Sequence, residues 1–332
     1  MAENKNHMPD QVLEEELAFD DKLEKAVRKA RQRSLFKTIF VSLLAAVAVF
    51  LGVYIANDQI IAEKNLDALN SAELFEKISG PNVHVGTSFG FTGIADGYVE
   101  MQTYKLLKGV PVAWENRRLD TDLFGDPSKY YQEYSSISTM NPHTKEVNLY
   151  HYQSLKKQIE FYHPQIHYTK LKNELPLASN IDPHKYVEMS LSFDRDYSLE
   201  EVRQMLPSDV ELSWLWVDTY EKKELHVKKD APSDLNIAVY GFDAQERDGR
   251  KQDENDFIRA LEDNRNFKDG YTPYQKEAER IYHILSHGKS RVEKNDIRII
   301  GAVVVGTPAQ LQKLKGQKYV RGAVIGVTAD PY

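Results

Sequence analysis

His163 and His167 stand four residues apart, as do His283 and His287, a spacing that sets two imidazoles on one helical face and could begin a zinc site. Zinc needs further ligands, and neither pair encloses the glutamate of a metalloprotease helix: Pro164-Gln165-Ile166 fills one gap and Ile284-Leu285-Ser286 the other. The chain has no cysteine, which removes thiolate zinc sites, cysteine nucleophiles and a disulfide framework together. Both pairs are therefore expected to be ordinary exposed or interfacial histidines. Gly301 and Gly306 bracket AVVV without the lysine of a phosphate loop, and Gly86, Gly90 and Gly93 fall in a turn-rich region that opens no β-α-β unit. No nucleophile-elbow sequence accompanies the serines. No catalytic, cofactor-binding or metal residue is assigned, and an enzyme is not expected. One aromatic row remains. On a strand, Trp214, Trp216 and Tyr220 share a side with Asp218. Packing against a helix or neighbouring subdomain is the expectation for this exterior aromatic face, with a solvent-facing ligand platform as the alternative.

The element that organises these residues is Thr38–Asn57, twenty residues without a charge. At ~1.5 Å per residue it is roughly 30 Å long, the thickness of a bilayer's hydrocarbon core. Lys22, Lys25, Arg28, Lys29, Arg31, Arg33 and Lys37 precede it, whereas Asp58, Glu63, Asp67, Glu73 and Glu76 outnumber the lysines that follow it. Basic residues stay on the cytoplasmic side, so the segment reads as an uncleaved signal anchor of a single-pass cell membrane protein, N-terminus inside and C-terminal part outside. The arm, Met1–Lys37, carries eight bases and eight acids, so the whole formal charge of -7 lies beyond the membrane run. That balance argues against a nucleic-acid surface there.

Within the arm, Leu13, Leu17, Ala18, Leu23, Ala26, Val27 and Ala30 recur mostly at helical spacings, with acids first and bases last. The helix either extends the anchor over anionic lipid or docks on a cytoplasmic partner. Leu13, Leu17, Leu23 and Val27 are the candidate apolar contacts, and Arg28, Lys29 and Arg31 the candidate charge partners.

Beyond the membrane run the expected order is a helical stalk over 58–80, stopped by Gly80-Pro81, a strand-rich middle region over 81–185, and an α+β domain over 186–332. Tyr130, Tyr131 and Tyr134 mark a short helix or an aromatic patch, and Glu146–Tyr152 a strand. Tyr186–Phe193 alternates like a half-buried strand, Ser198 with Glu201 forms a capping box, and Leu212–Tyr220 returns as a strand. Leu235–Phe242 supplies a third strand, Gln245–Asp256 an exposed loop, and Thr272-Pro273 opens a helix that closes near Gly288. A last β-α-β unit runs through IRIIGAVVVG, the Thr307-Pro308 cap and YVRGAVIGVTA; its strands are apolar nearly throughout, which places both centrally in the sheet. The fold class is an α+β exterior domain on a single transmembrane helix with a short cytoplasmic helical arm.

FDDKLEKAVRKARQRSLFKTIF (Phe19–Phe40), YVEMSLSFDRDYSLEEVRQMLPSDVELSWLWVDTY (Tyr186–Tyr220) and IIGAVVVGTPAQLQKLKGQKYVRGAVIGV (Ile299–Val327), in this order, resemble the membrane-anchored regulators of extracytoplasmic-function sigma factors, WLWVDTY most of all. The resemblance implies an anti-sigma factor whose arm withholds an extracytoplasmic-function sigma factor from RNA polymerase while the exterior domain receives an envelope signal. It also admits a small membrane co-regulator beside the sigma factor and the lipid bilayer. The histidine and paired-cysteine signature of zinc-containing anti-sigma factors is missing. The competing reading is a cell-surface binding or assembly protein whose arm only anchors it.

Overall fold

The computed structural model describes residues 10–129, 136–141, 146–221, 223, 225, 239–247 and 249–331. Tyr130, Tyr131, Tyr134 and the Leu235–Ala238 part of the expected third strand lie outside them. The chain divides into two compact units, Met1–Gln59 and Ile60–Tyr332. Helix α1 (Asp10–Glu76) supplies the described part of the first unit and the opening of the second. Among the described residues it is the one helix long and apolar enough to cross a membrane, and its most apolar stretch has nothing of the protein packed on it.

In the second unit α1 is far from a bare stalk. Ile61, Asn65, Ala68 and Ala72, spaced at i, i+4, i+7 and i+11, are buried. Ala68 and Ala72 pack on Val99, Met101 and Leu119 of a four-stranded antiparallel sheet ordered β1 (Val83–Thr92), β2 (Asp96–Leu107), β3 (Val110–Asp122), β4 (Ser128–Lys129). Leu66 is exposed, and the two alanines make the contact with the sheet. Gly80, at φ 65°, turns the chain out of the helix and into β1. A separate hairpin joins β5 (Ser136–Met140) to β6 (Val147–His151).

The second sheet is antiparallel throughout, in the order β13-β7-β12-β8-β9, from β7 (Tyr186–Tyr197), β8 (Glu211–Val217), β9 (Gly241–Asp243), β12 (Ile299–Gly306) and β13 (Val320–Ala329). Helix α2 (Leu199–Met205) joins β7 to β8, which lie parallel with β12 between them; both expected β-α-β units are thus split. The capping boxes of Ser198 with Glu201 and of Thr307 with Gln310 start α2 and the short α5 (Pro308–Leu311).

Three expectations are corrected here. Gln245–Asp256 is not a loop: it folds as the hairpin β10 (Glu246–Arg247) and β11 (Arg250–Lys251) and then enters α3 (Glu254–Asn266), which Asp253 and Asp256 cap and which buries Phe257, Ala260, Leu261 and Asn264 at helical spacing. Helix α4 (Thr272–Ser286) follows, where Thr272-Pro273 called for it. Second, β13 is an edge strand. It reads as central because other chain covers it: Ala323 exchanges backbone hydrogen bonds with Lys172 and Glu174, and Glu174 Oε2 accepts from the Ile325 N–H at 2.8 Å. Third, β7 is buried on both faces. Val187, Met189, Leu191 and Phe193 enter the main core with α2–α5. Ser190 and Ser192 bond to the backbone of Glu160 and Tyr162 on the other side.

Candidate functional site

In the arm the backbone is helical through all the candidate contact residues. Leu17, Leu23 and Val27 are 64, 52 and 59% exposed, and Arg28, Lys29 and Arg31 also face solvent; the side chain of Leu13 lies outside the described residues. Asp21 and Lys25 pair at 2.6 Å and Glu24 and Arg28 approach to 3.9 Å along the helix surface. Such exposed i, i+4 pairs support the helix locally and bury nothing.

Helical geometry regroups these residues. At about 100° per residue, Phe19, Leu23, Ala26, Val27 and Ala30 form one stripe about 100° wide. Leu17 lies ~120° around the helix from Leu23, on a flank shared with Leu13, Arg28 and Arg31, and Lys29 falls on the opposite flank. The sequence-chosen set therefore spans more than one face. Phe19, 65% exposed, belongs to the apolar stripe although it is not among the candidate contacts; its spacing of four and eight to Leu23 and Val27 is the signal that marks it. An apolar stripe flanked by charge suits insertion into a hydrophobic groove of a partner.

The aromatic row is buried. Trp214 and Trp216 pack with Ile159, Phe161 and Val303, and Tyr220 borders them half-buried. The cover on this side is the extended segment around Phe161, whose ring lies 5.0 Å from Trp216, not a helix. Gly301 is required beneath it, since a Cβ there would come within 2.8 Å of the Trp216 ring and 2.6 Å of the Leu191 carbonyl oxygen. The row is a packing layer and offers no open platform.

The histidines also part company. His163 is not exposed or interfacial but fully buried, its Nε2 3.3 Å from Asp218 Oδ1 and its ring against Tyr220, while His167 is exposed in a non-helical stretch. His283 and His287 are exposed at the end of α4, where His287 takes a left-handed cap at φ 49°. Among the described residues no group of three or more His, Cys, Asp or Glu could hold a metal ion.

Buried charge networks that nothing in the sequence marks hold the second unit together, two of them joining α1 and the two sheets. Lys105 of β2 donates to both oxygens of Glu188 of β7 at 2.8 and 2.9 Å, with both side chains wholly buried. Asn82 Nδ2 donates to the same carboxylate, and Lys105 lies over the Trp114 ring. The second network runs from His151 through Glu115 and Arg117 to Glu76, the last residue of α1. Burial by itself would raise the Glu115 carboxyl, but the Arg117 charge and the His151 hydrogen bond hold it down at about 2. Burial opposes the Arg117 charge as well, yet Glu115 and Glu76 keep its pKa well above the ordinary value. These groups tie α1 and the first sheet to one another and to the second sheet.

Residues 24–112 match the sigma factor regulator N-terminal region, and residues 179–327 match the sigma factor regulator C-terminal region. The first match runs from the arm through the uncharged stretch to the start of β3, and the second covers the five-stranded sheet except the last two residues of β13. No curated protein and no solved structure matches the chain significantly.

Proposed function

Because this chain belongs to the sigma-factor regulators that carry both regions, whose domains are regulatory and not catalytic, we propose that it is a single-pass anti-sigma factor. In this reading the arm sequesters an extracytoplasmic-function sigma factor in the cytoplasm, and the second unit lies outside and passes an envelope signal to it. The observation that carries the proposal is the presence of both regulator regions in one chain, the N-terminal one containing the apolar run. The basic flank before that run supports the orientation. The exposed stripe of Phe19, Leu23 and Val27 supports a docked partner, since a helix that only anchors the protein has no need of an apolar face below its span.

The test replaces Met1–Arg33 with an unrelated basic leader that preserves topology. The full chain expressed in its host should co-purify with a sigma factor, and the replacement should release it and derepress its promoters. If the intact chain retains no sigma factor, the proposal is wrong. If transcription is indifferent to the replacement, the arm is an anchor alone. Orientation is read separately: a cysteine at Ser208 should label with an impermeant thiol reagent in intact cells, and one at Ser34 only after permeabilisation.

A further inference from the structure

The second unit begins at Ile60, three residues after the last uncharged residue, Asn57. Whatever packs against its first turns is therefore held close to where the chain leaves the bilayer. Two turns do so. Asn65 Nδ2 donates to the Phe91 carbonyl oxygen at 2.9 Å, near the end of β1, and Asn65 Oδ1 accepts from Thr121 Oγ1. Lys64 Nζ donates to the Gly125 carbonyl oxygen at 2.8 Å, and Gly97 sits so tightly on Ile61 that a Cβ would come within 2.5 Å of it. The Leu123 N–H donates to the Ala95 carbonyl oxygen at 2.9 Å, which sets the β1–β2 turn and the β3–β4 turn side by side.

Direction matters as well as proximity. The chain reverses at Gly80, so β1 runs back along Ile60–Glu76 toward its start. Ile94 lies three residues past the Phe91–Asn65 link, about 10 Å further at the rise of a strand. Asn65 itself follows Asn57 by only eight residues of chain.

The tips of these turns are apolar and bare. Ile94 is 87% and Phe124 92% exposed, and Phe89 and Phe91 stand half-exposed behind them. Neither tip side chain serves the core. The acids around them are occupied in building the turns: Asp122 Oδ1 accepts from the backbone N–H groups of Phe124 and Gly125, and Asp126 Oδ2 accepts from Thr272 Oγ1. A rim with acids and apolar tips cannot be attracted by anionic headgroups; its contact with lipid has to be hydrophobic.

We propose that Ile94 and Phe124 insert into the interfacial layer of the leaflet from which the chain emerges, seating the second unit on the membrane surface. This rests on the reading of Thr38–Asn57 as a membrane span, and the experiment separates the two. The full chain, free of native cysteine, would be placed in phosphatidylcholine nanodiscs with and without doxyl-labelled lipid. One environment-sensitive fluorophore would be attached at Thr92→Cys, Val49→Cys or Ser208→Cys. Ser208 is the remote control, since its neighbour Asp209 meets Lys108 at the opposite end of β2. Quenching at position 92 should exceed that at 208 severalfold and fall short of that at 49. It should drop to the level of 208 when Ile94→Asp and Phe124→Asp are combined, and 0.5 M salt should leave it unchanged. Quenching at 49 alone overturns the rim and leaves the span standing. No quenching at 49 removes the span and the rim with it. A water-shielded but unquenched label at 92 assigns the rim to a second copy of the chain, and quenching that survives both aspartates shows that these side chains do not cause it.

Discussion

The arm and the second unit answer the same problem, the disposal of apolar surface, in opposite ways. The second unit buries its own: Val187, Met189, Leu191 and Phe193 of β7 disappear under α2–α5, and even some charges are interior, as with Lys105 and Glu188. The arm leaves Phe19, Leu23 and Val27 in water and makes only surface ion pairs. A helix without tertiary contacts draws little stability from its own residues, because most helical stability in proteins comes from packing of the apolar face. The difference teaches that the second unit is self-sufficient, whereas the arm, in the proposed reading, is completed by its partner.

The comparison would break first at the buried ion pair. Lys105→Met strands the Glu188 carboxylate in the interior and should cost the second unit ~3–5 kcal/mol, read as a shift of its urea midpoint by tryptophan fluorescence. Adding Glu188→Gln should recover much of the loss. Sigma-factor retention by the arm should persist in the single variant under conditions where the second unit stays folded. A midpoint that does not move would show that the pair contributes nothing to this unit.

A smaller effect is expected from acid. Glu115 is held at about 2 by Arg117 and His151, against an unfolded value of about 4.5. A carboxyl with a depressed folded pKa stabilises above the unfolded value and loses that contribution as pH falls from about 4.5 toward 2. The contribution is on the order of 3 kcal/mol. The second unit should weaken across that window. Glu115→Gln, already destabilised at neutral pH because Arg117 and His151 lose their shared carboxylate, should show a flatter pH profile. Equal slopes for the two proteins would remove Glu115 from the acid response. The arm's ion pairs, by contrast, are exposed and support its helix only weakly.

How much of this was legible depends on whether the signal is local. The Ser198 and Thr307 caps are set by residues three apart and were read directly. The cap of α3 obeys the same rule, Asp253 with Asp256, but lies in a charged run whose apolar residues begin only at Phe257, and so it passed for a loop. Strand β13 was placed at the centre because its two faces are apolar; nothing local says that Lys172–Glu174 covers its edge. The buried partners Lys105 and Glu188, 83 residues apart, carry no sequence pattern at all. In the arm a list of apolar positions takes in Leu17 and leaves out Phe19, whereas the angle of each residue around the helix reverses that choice. His163 owes its burial to Asp218 and Tyr220, residues more than fifty positions away.

The smallest expected effect is also the sharpest probe of the arm. Leu17 and Leu23 are chemically identical, similarly exposed and on the same helix, so Leu17→Asp and Leu23→Asp change charge, solubility and helix propensity almost equally. They differ in azimuth by ~120°. If the partner takes the stripe of Phe19, Leu23 and Val27 into a groove, Leu23→Asp places a charge at the centre of the contact and should weaken sigma-factor binding by about 30-fold or more, roughly 2 kcal/mol. Leu17→Asp then lies at the rim and should cost less than about tenfold, with Tm of the second unit unchanged in both. Both affinities can be measured by titrating the purified sigma factor against the full chain in nanodiscs. The reverse order would move the interface to the flank of Leu13, Leu17, Arg28 and Arg31. Equal losses would mean that the partner encircles the helix, and the arm would then be completed on all its faces and not along one stripe.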